Sequence, residues 1–318
     1  MGEERNCSQS KKIVFMGTPL IATYALNALI DANYDVAAVV CQPDKPIGRK
    51  KEIIYSPVKQ LALAKNIPIF QPQKIIEIKQ ELVALQPFVF ITCAFGQFLP
   101  NSILEIPQFG CVNVHTSLLP KYRGGAPVHW AIINGDKQTG VCLTKMVKKM
   151  DAGGVYCYKT VDILENETTS SLFCKMNNVV YDLVLNELPK VLENVYLPIP
   201  QNESEVSFAY NITKENEHID FFQPSFHVKN LIKGLSDIPG GFCVWNNQTI
   251  KLFNCEILLN KSNCYPGTIV CISKNGIEIA TLDFNILVKE IQFESKKRAF
   301  VSDLINGNLK IKINDILK

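Results

Sequence analysis

The feature that most constrains the fold of this chain is a regular alternation of short apolar runs and helix-like segments in its amino-terminal part. The apolar, strand-like runs lie at 12–16, 35–40, 67–70, 88–93 and 110–115. Segments with the composition of helices lie between them, at 21–32, 57–65 and 74–85. Alternating units with almost continuously apolar strands are typical of a parallel sheet that is covered by helices on both faces. We therefore predict an α/β domain built on a mostly parallel sheet.

The pattern changes twice further along the chain. Predicted strands at 141–147 and 155–161 precede a predicted long helix over 168–195, and the prolines and polar residues that follow are typical of a linker. Beyond residue 210 the chain predicts one helix and then short strands separated by turns, at 224–234, 249–253, 267–272, 276–280 and 285–291. We predict a first domain over 1–196, a linker over 197–208 and a small β-barrel domain over 209–318.

Composition limits the kind of protein this can be. The 318 residues carry 33 Lys and Arg against 30 Asp and Glu, and a net charge of +3 is too small to indicate a nucleic-acid partner by itself. The basic residues are concentrated locally, at 45–51, 145–149 and 296–298. No apolar run approaches the length of a membrane span, and the acidic start of the chain is unlike a signal or transit peptide. We therefore expect a cytoplasmic protein of the bacterial type.

Cysteine and histidine usage bears on metal binding and redox state. The eleven cysteines are scattered without a Cys-x-x-Cys pair, and the four histidines lack the spacing of a zinc site, so we expect no metal. Several cysteines lie inside apolar runs, as Cys93 does, which predicts reduced thiols in the core of a cytosolic protein.

A glycine-containing turn follows the first predicted strand. Residues 17–19, Gly-Thr-Pro, have the position of a nucleotide-binding turn, but they lack the Gly-x-Gly-x-x-Gly pattern, and Pro19 removes an amide that could donate to a phosphate. The second strand ends on Cys41 and Gln42, where a dinucleotide site would have an acid for the ribose. We interpret residues 17–19 as a structural turn.

The densest group of chemically useful side chains begins on the strand 110–115. Alternation along a strand places Asn113, His115 and Ser117 on one side of the backbone, at the carboxyl end of the sheet, where open α/β sheets bind ligands. An amide and an imidazole that face the same way can donate to one oxygen and stabilise a developing oxyanion. In isolation, these residues are equally consistent with side chains that satisfy local backbone groups in a turn.

Asp151 favours the catalytic interpretation. It lies in a loop of small residues, 150–154, where a ligand could approach closely. Asp, His and Asn together can catalyse acyl transfer without a covalent intermediate, because the carboxylate orients the imidazole and keeps it charged while the imidazole and the amide polarise the carbonyl. A double displacement is less favoured, since no Ser or Cys lies in a nucleophile elbow.

A basic loop precedes the second predicted helix. Four cations lie within 45–51, and the connection up to Pro57 is about sixteen residues long, which is more typical of a functional loop than of a simple link. A solvated surface loop is the alternative interpretation. The functional interpretation is contact with nucleic-acid phosphates, with Arg49 best suited to reading a groove.

These motifs resemble the methionyl-tRNA formyltransferase family over nearly the whole chain. They occur in the family's order at 16–19, 42–50, 56–59, 70–72, 94–100, 110–120, 123–127, 139–140 and 150–153. The resemblance implies a Rossmann-like formyltransferase domain, the catalytic domain, followed by an OB-like tRNA-binding domain. It also implies the reaction, in which the formyl group of 10-formyltetrahydrofolate passes to the amino group of methionine on initiator methionyl-tRNA for translation initiation. The implied partners are this tRNA and the folate co-substrate. We expect no membrane partner, and we expect the protein to be a monomer.

The resemblance assigns roles to individual residues. The family's catalytic trio matches Asn113, His115 and Asp151. Its folate-binding segment matches Ser117, Leu118, Leu119 and Pro120. The loop that enters the acceptor stem and senses the weakly paired first position of initiator tRNA matches Arg49, Lys50 and Lys51.

Two departures and two rival functions stay open. Gly154 replaces an acid that is common in the family, and 234–241 lacks the usual Asn-Pro-Trp-Pro, which affects the expected details of the second domain. One rival is a formyltransferase that acts on an amino-sugar nucleotide with the same trio, although it would not need the basic loop at Arg49. The other is a non-catalytic RNA-binding protein on the same scaffold, which an intact trio disfavours.

Overall fold

The computed structural model describes residues 11–47, 52–307 and 309–318. The chain divides into two compact units. The first takes in the chain up to Gly125 together with 140–161 and 175–209, and the second takes in 126–139, 162–174 and the chain from Tyr210 onward. Two internal segments therefore belong with the carboxyl-terminal unit. The predicted domain limits at 196 and 208 stay a prediction.

A seven-stranded sheet dominates the first unit. The strands, in chain order, are β1 (Ile13–Gly17), β2 (Val36–Val40), β3 (Pro46–Ile47), β4 (Glu52–Ile53), β5 (Ile69–Phe70), β6 (Val89–Cys93), β7 (Gly110–His115), β8 (Gln138–Lys145) and β9 (Val155–Asp162). The spatial order is β5-β2-β1-β6-β7-β8-β9, while β3 and β4 form a separate two-stranded sheet. The pairs from β5 to β7 are parallel and β7–β8 is antiparallel.

Helices connect these strands and continue into the second unit. They are α1 (Leu20–Asp31), α2 (Pro57–Ala64), α3 (Lys79–Ala84), α4 (Asn101–Leu104), α5 (Pro127–Ile133), α6 (Thr169–Leu192), α7 (Ser225–Gly234) and α8 (Val301–Leu304), with 3-10 turns at Ile75–Ile78 and Glu203–Glu205. Local chemistry explains where some of them begin. Ser56 caps α2 by accepting a hydrogen bond from the Lys59 backbone N–H, and Pro57 occupies the first helical position, where its missing N–H costs nothing.

The core of the first unit explains the sequence pattern of its strands. Every residue of β1 is buried, as expected for a strand covered on both faces. At its end, a Cβ on Gly17 would lie 2.7 Å from the Cys93 carbonyl oxygen, so only glycine fits between β1 and β6. Packing between β1 and β6 therefore accounts for this glycine.

The second unit contains an antiparallel sheet. Its strands are β10 (Phe242–Trp245), β11 (Gln248–Ile257), β12 (Ile269–Ser273), β13 (Gly276–Ile279), β14 (Ile286–Phe293) and β15 (Ala299–Phe300). They follow the order β10-β11-β14-β13-β12, with β15 also paired to β14. Val228 and Ile232 of α7 belong to the apolar core of this unit.

The fold class predicted from the sequence is confirmed. A mostly parallel sheet with helices is followed by an antiparallel-sheet domain. Details differ where short-range signals are weak. The predicted helix 74–85 is a 3-10 turn followed by α3, the long connection before Pro57 contains the β3–β4 pair, and α5 was not predicted. Among the residues that the structure describes, no helix is both long enough and apolar enough to cross a membrane.

Candidate active site

The pairing of β6 with β7 fixes the first functional side chain. Their parallel register places Thr92 beside Asn113. The Thr92 hydroxyl donates a hydrogen bond of 2.7 Å to Asn113 Oδ1. Because that oxygen is engaged, the amide turns its Nδ2 donor toward Asp151, whose Oδ1 lies 3.5 Å away.

His115, two residues further along β7, is held at one ring nitrogen. Its Nε2 lies 3.0 Å from the Tyr122 carbonyl oxygen. A carbonyl can only accept, so this contact requires a hydrogen on Nε2. The other nitrogen, Nδ1, faces the Asp151 carboxylate with 3.8 Å to Oδ2, and the His115 side chain is only 6% exposed. The imidazole therefore has an anchored nitrogen and a nitrogen that faces the polar site.

Asp151 completes the group from the other side. Its backbone has φ 49°, in the left-handed region that few residues besides glycine adopt, although Asp tolerates it better than most. The backbone N–H of Gly124 donates to Oδ2 over 2.9 Å. The side chain is 17% exposed. The three residues predicted as a trio are thus brought together around one carboxylate at the carboxyl end of β7.

The small residues after Asp151 have a structural reason. A Cβ on Gly153 would lie 1.6 Å from the Lys145 carbonyl oxygen at the end of β8. The Thr144 hydroxyl lies 3.1 Å from the carbonyl oxygens of both Gly153 and Gly154. Close packing against the backbone of β8 therefore requires glycine at 153.

Behind the loop lies a second layer of polar contacts. Gln201 Nε2 donates 2.7 Å hydrogen bonds to the carbonyl oxygens of Asp151 and Gly153. Its Oε1 accepts from Nε and Nη2 of Arg123, at 3.0 and 2.8 Å. Arg123 is 0% exposed. It also donates to Glu203, with 2.7 Å between Nη2 and Oε1.

The Glu203 carboxylate pairs with two cationic side chains. Besides Arg123, Lys149 Nζ lies 2.9 Å from Glu203 Oε2. Hydrogen bonds from these two side chains lower the pKa of the Glu203 carboxyl to about 2. Both Lys149 and Glu203 are more than half exposed, so solvent screens their attraction. One lysine of the 145–149 cluster is therefore paired with an acid of this chain.

The predicted folate segment immediately follows β7. Ser117 is buried, and its hydroxyl donates 2.6 Å to the Lys121 carbonyl oxygen, so this side chain stabilises the turn. Leu118, Leu119 and Pro120 are half-buried apolar residues. The segment therefore presents apolar surface directly after the strand that carries Asn113 and His115.

The predicted tRNA loop falls outside the described residues. Arg49, Lys50 and Lys51 lie in the gap 48–51, between β3 and β4. Among the described residues nearby, the Asp44 carboxylate accepts hydrogen bonds from Lys59 and Gln71. Within the described ranges, no group of three or more His, Cys, Asp or Glu side chains is arranged to hold a metal ion.

Sequence reasoning missed the residues that hold the trio in place. Thr92 could have been recognised in the sequence, because it is the one hydroxyl residue in the apolar run 88–93. Gln201 could not, since it lies 50 residues after Asp151 in a segment with the composition of a linker. The contacts of the Tyr122 carbonyl and the Gly124 N–H are made by backbone groups, which composition cannot reveal.

Known proteins resemble this chain in sequence and in fold. Residues 11–187 match the Formyl transferase family, and residues 211–309 match the family described as Formyl transferase, C-terminal domain. The chain therefore belongs to the formyl transferase family. It is 62% identical over 318 residues to the methionyl-tRNA formyltransferase of Malacoplasma penetrans (strain HF-2), with 100% of each chain covered. The resemblance to methionyl-tRNA formyltransferases is thereby confirmed.

Solved structures share the fold at lower identity. An N-formyltransferase from Helicobacter canadensis, in complex with folinic acid and dTDP-3-aminofucose, has a TM-score of 0.66 at 19% identity and covers 87% of this chain and 98% of its own. HypX from Aquifex aeolicus, in complex with tetrahydrofolic acid, has a TM-score of 0.64 at 16% identity and covers 96% of this chain and 50% of its own. At these identities the likeness concerns the fold alone.

The lowered pKa of Glu203 makes its contribution to stability depend on pH. The carboxyl has an ordinary value of 4.5, so the unfolded chain takes up the proton first as the pH falls. The pairing with Arg123 and Lys149 therefore stabilises the folded protein fully above about pH 4.5, and this stabilisation is lost as the pH falls toward 2. We expect Glu203→Gln to lower the urea midpoint of unfolding at neutral pH, with a difference from wild type that shrinks toward pH 3.

Glu205→Gln, an exposed acid in the same 3-10 turn, is the matched control and should leave the midpoint unchanged at both pH values. A Glu203→Gln deficit that is the same at neutral pH and pH 3 would contradict the pairing.

Proposed function

We propose that this chain transfers the formyl group of 10-formyltetrahydrofolate to the amino group of methionine on initiator methionyl-tRNA, in translation initiation. The observation that carries this proposal is the similarity, over the whole length of both chains, to a methionyl-tRNA formyltransferase. The grouping of Asn113, His115 and Asp151 supports the chemistry. A cytoplasmic location and a monomeric state belong to the same proposal.

In this proposal the trio supplies charge stabilisation and a path for protons. The folate supplies the formyl carbon that the neutral amine attacks. Asn113 Nδ2 points into the site toward Asp151, and His115 Nδ1 faces the same carboxylate. Asn113 Nδ2 can donate to the formyl oxygen as negative charge develops there, and Nδ1 can join it when the ring carries hydrogens on both nitrogens. Asp151 orients the imidazole and accepts the proton that the amine loses. The new N–C bond replaces the bond from the formyl carbon to the folate nitrogen, and that nitrogen leaves with the proton that Asp151 took from the amine.

The folate site in this proposal is the segment 117–120. Half-buried apolar side chains beside convergent polar groups are typical of sites for small ring-containing ligands. Leu118, Leu119 and Pro120 offer such a wall next to the trio, and Ser117 fixes the turn that presents it. The residues present therefore fit a flat, partly apolar co-substrate.

The competing acceptor is an amino-sugar nucleotide. The decisive experiment incubates the purified chain and labelled 10-formyltetrahydrofolate with either methionyl-tRNA or a dTDP-amino sugar. We expect label on the methionine of the tRNA and none on the sugar. Transfer to the sugar in preference to the tRNA would contradict the proposed acceptor, and no transfer to either would favour a non-catalytic RNA-binding protein.

Substitutions in the trio should reduce turnover selectively. His115→Ala, Asp151→Asn and Asn113→Ala should each lower turnover by about a hundredfold or more, because these groups act on charge that develops during the reaction. Affinity for methionyl-tRNA should change little. Single-turnover formylation and a separate tRNA-binding measurement would distinguish the two effects.

Asp182→Asn, a surface acid paired with Lys159, is the matched control for Asp151→Asn and should be fully active. Near-normal turnover in a trio variant would remove that residue from the catalytic group. A purely weaker folate affinity in Asn113→Ala would reassign Asn113 to the binding site.

We expect the basic loop to recognise the initiator tRNA through directed hydrogen bonds, and not only to attract it by positive charge. Arg49→Lys keeps the charge but loses the planar fork that makes two directed bonds, so we expect loss of initiator methionyl-tRNA formylation. Lys50→Ala and Lys51→Ala should weaken binding modestly and reduce its salt dependence, as expected for phosphate contacts. Formylation kinetics at two salt concentrations test this. Wild-type kinetics in Arg49→Lys, with equally mild effects of the lysine substitutions, would place tRNA selection elsewhere.

A further inference from the structure

The motif 123–127 contains a buried cation that the proposed chemistry does not use. Arg123 belongs to the motifs that carry the family resemblance, yet it is 0% exposed and is not a member of the trio. A guanidinium removed from water requires partners that compensate its lost hydration. Its partners are Gln201 and Glu203, both from the segment that follows α6.

The contacts of Arg123 lead to Asp151 by two routes. Through the side chain, Arg123 holds the Gln201 oxygen, and the Gln201 amide donates to the carbonyl oxygens of Asp151 and Gly153. Through the main chain, Arg123 precedes Gly124, whose N–H donates to the Asp151 carboxylate. One route holds the backbone of Asp151 and the other holds its carboxylate.

The Arg123 backbone is itself fixed. Its N–H donates to the Ser207 carbonyl oxygen over 2.9 Å, and its carbonyl oxygen accepts from the Ala209 N–H over 2.8 Å. Both anchoring points lie in the same segment as Gln201. The residues 201–209 therefore hold Arg123 at its side chain and at its main chain.

The contacts of Gln201 fix the orientation of its side-chain amide. Its oxygen faces two guanidinium donors and its nitrogen faces two carbonyl acceptors, so a flipped amide would oppose like groups at all four contacts. Asp151 lies between these contacts and its partners His115 and Asn113. Its backbone has φ 49°, a conformation that its surroundings must stabilise.

We propose that Arg123 and Gln201 are positioning residues for formyl transfer, which act by fixing the loop of Asp151 so that its carboxylate faces His115 and Asn113. This inference rests on the proposed catalytic role of Asp151. It assigns a function to the segment that sequence composition identifies as a linker, because Gln201 from that segment is part of the support of the reaction centre.

A double-mutant cycle on formyl transfer separates positioning from general stability. Gln201→Glu keeps the length of the side chain and the oxygen that accepts from Arg123, but it replaces the amide nitrogen by a carboxylate oxygen that opposes the two carbonyl oxygens. We expect kcat to fall about tenfold to a hundredfold, with the KM values for tRNA and folate within about threefold of wild type. In an Asp151→Asn background the same substitution should change kcat less than about threefold, since the group that it positions is already lost.

Glu205→Gln, which alters an exposed acid in the same segment, is the control and should match wild type. If Gln201→Glu does not fold, as judged by thermal unfolding, Gln201→Asn is used in the same cycle, because it keeps the amide but is too short to reach both Arg123 and the loop.

The possible results are distinct. Wild-type kcat in the Gln201 variant, or losses that multiply independently in the double variant, would overturn the positioning role while leaving the proposed function intact, provided that Asp151→Asn is itself impaired. Full activity of Asp151→Asn would instead overturn the proposed role of Asp151, and this inference with it.

Discussion

The rest of the site depends on the contacts of one group, the carboxylate of Asp151. It accepts from the Gly124 N–H at 2.9 Å and faces both Asn113 and His115 within 3.8 Å. No single strand provides this arrangement, because Asp151 comes from the loop between β8 and β9 while its partners belong to β7 and the segment after it. The antiparallel pairing of β7 with β8 makes the meeting possible, since it brings the end of β8, and so the start of the loop, toward β7.

The imidazole and the amide are oriented by groups that take no part in the proposed chemistry. Thr92 holds the Asn113 oxygen and the Tyr122 carbonyl holds His115 Nε2, so each side chain has one atom engaged and one atom that faces the site. Donors that are fixed before the substrate arrives need no reorganisation as charge develops, which is the basis of electrostatic preorganisation. The buried Arg123 extends the same principle to the backbone of Asp151.

The sequence predicted the elements that have strong local signals. The mostly apolar strands β1 and β6 and the helix α2 were evident from composition and spacing. Asn113, His115 and Asp151 were identified from motifs that the structure brings together. What could not be predicted depends on contacts between distant residues. Gln201 has linker composition, and its contact with Asp151 follows only from the fold. The packing of Gly153 against the Lys145 carbonyl oxygen likewise joins residues that spacing does not connect.

The central claim is that the two nitrogens of His115 have different roles, with Nε2 anchored to the Tyr122 carbonyl and Nδ1 available toward Asp151 and Asn113. The most direct measurement is nitrogen NMR of the protein with isotopically labelled histidines, with His115→Gln used to assign the His115 signals among those of the four histidines. The neutral ring should carry its hydrogen on Nε2 and none on Nδ1. A neutral ring with its hydrogen on Nδ1 would contradict the account, because Nε2 would then have no hydrogen to donate to Tyr122.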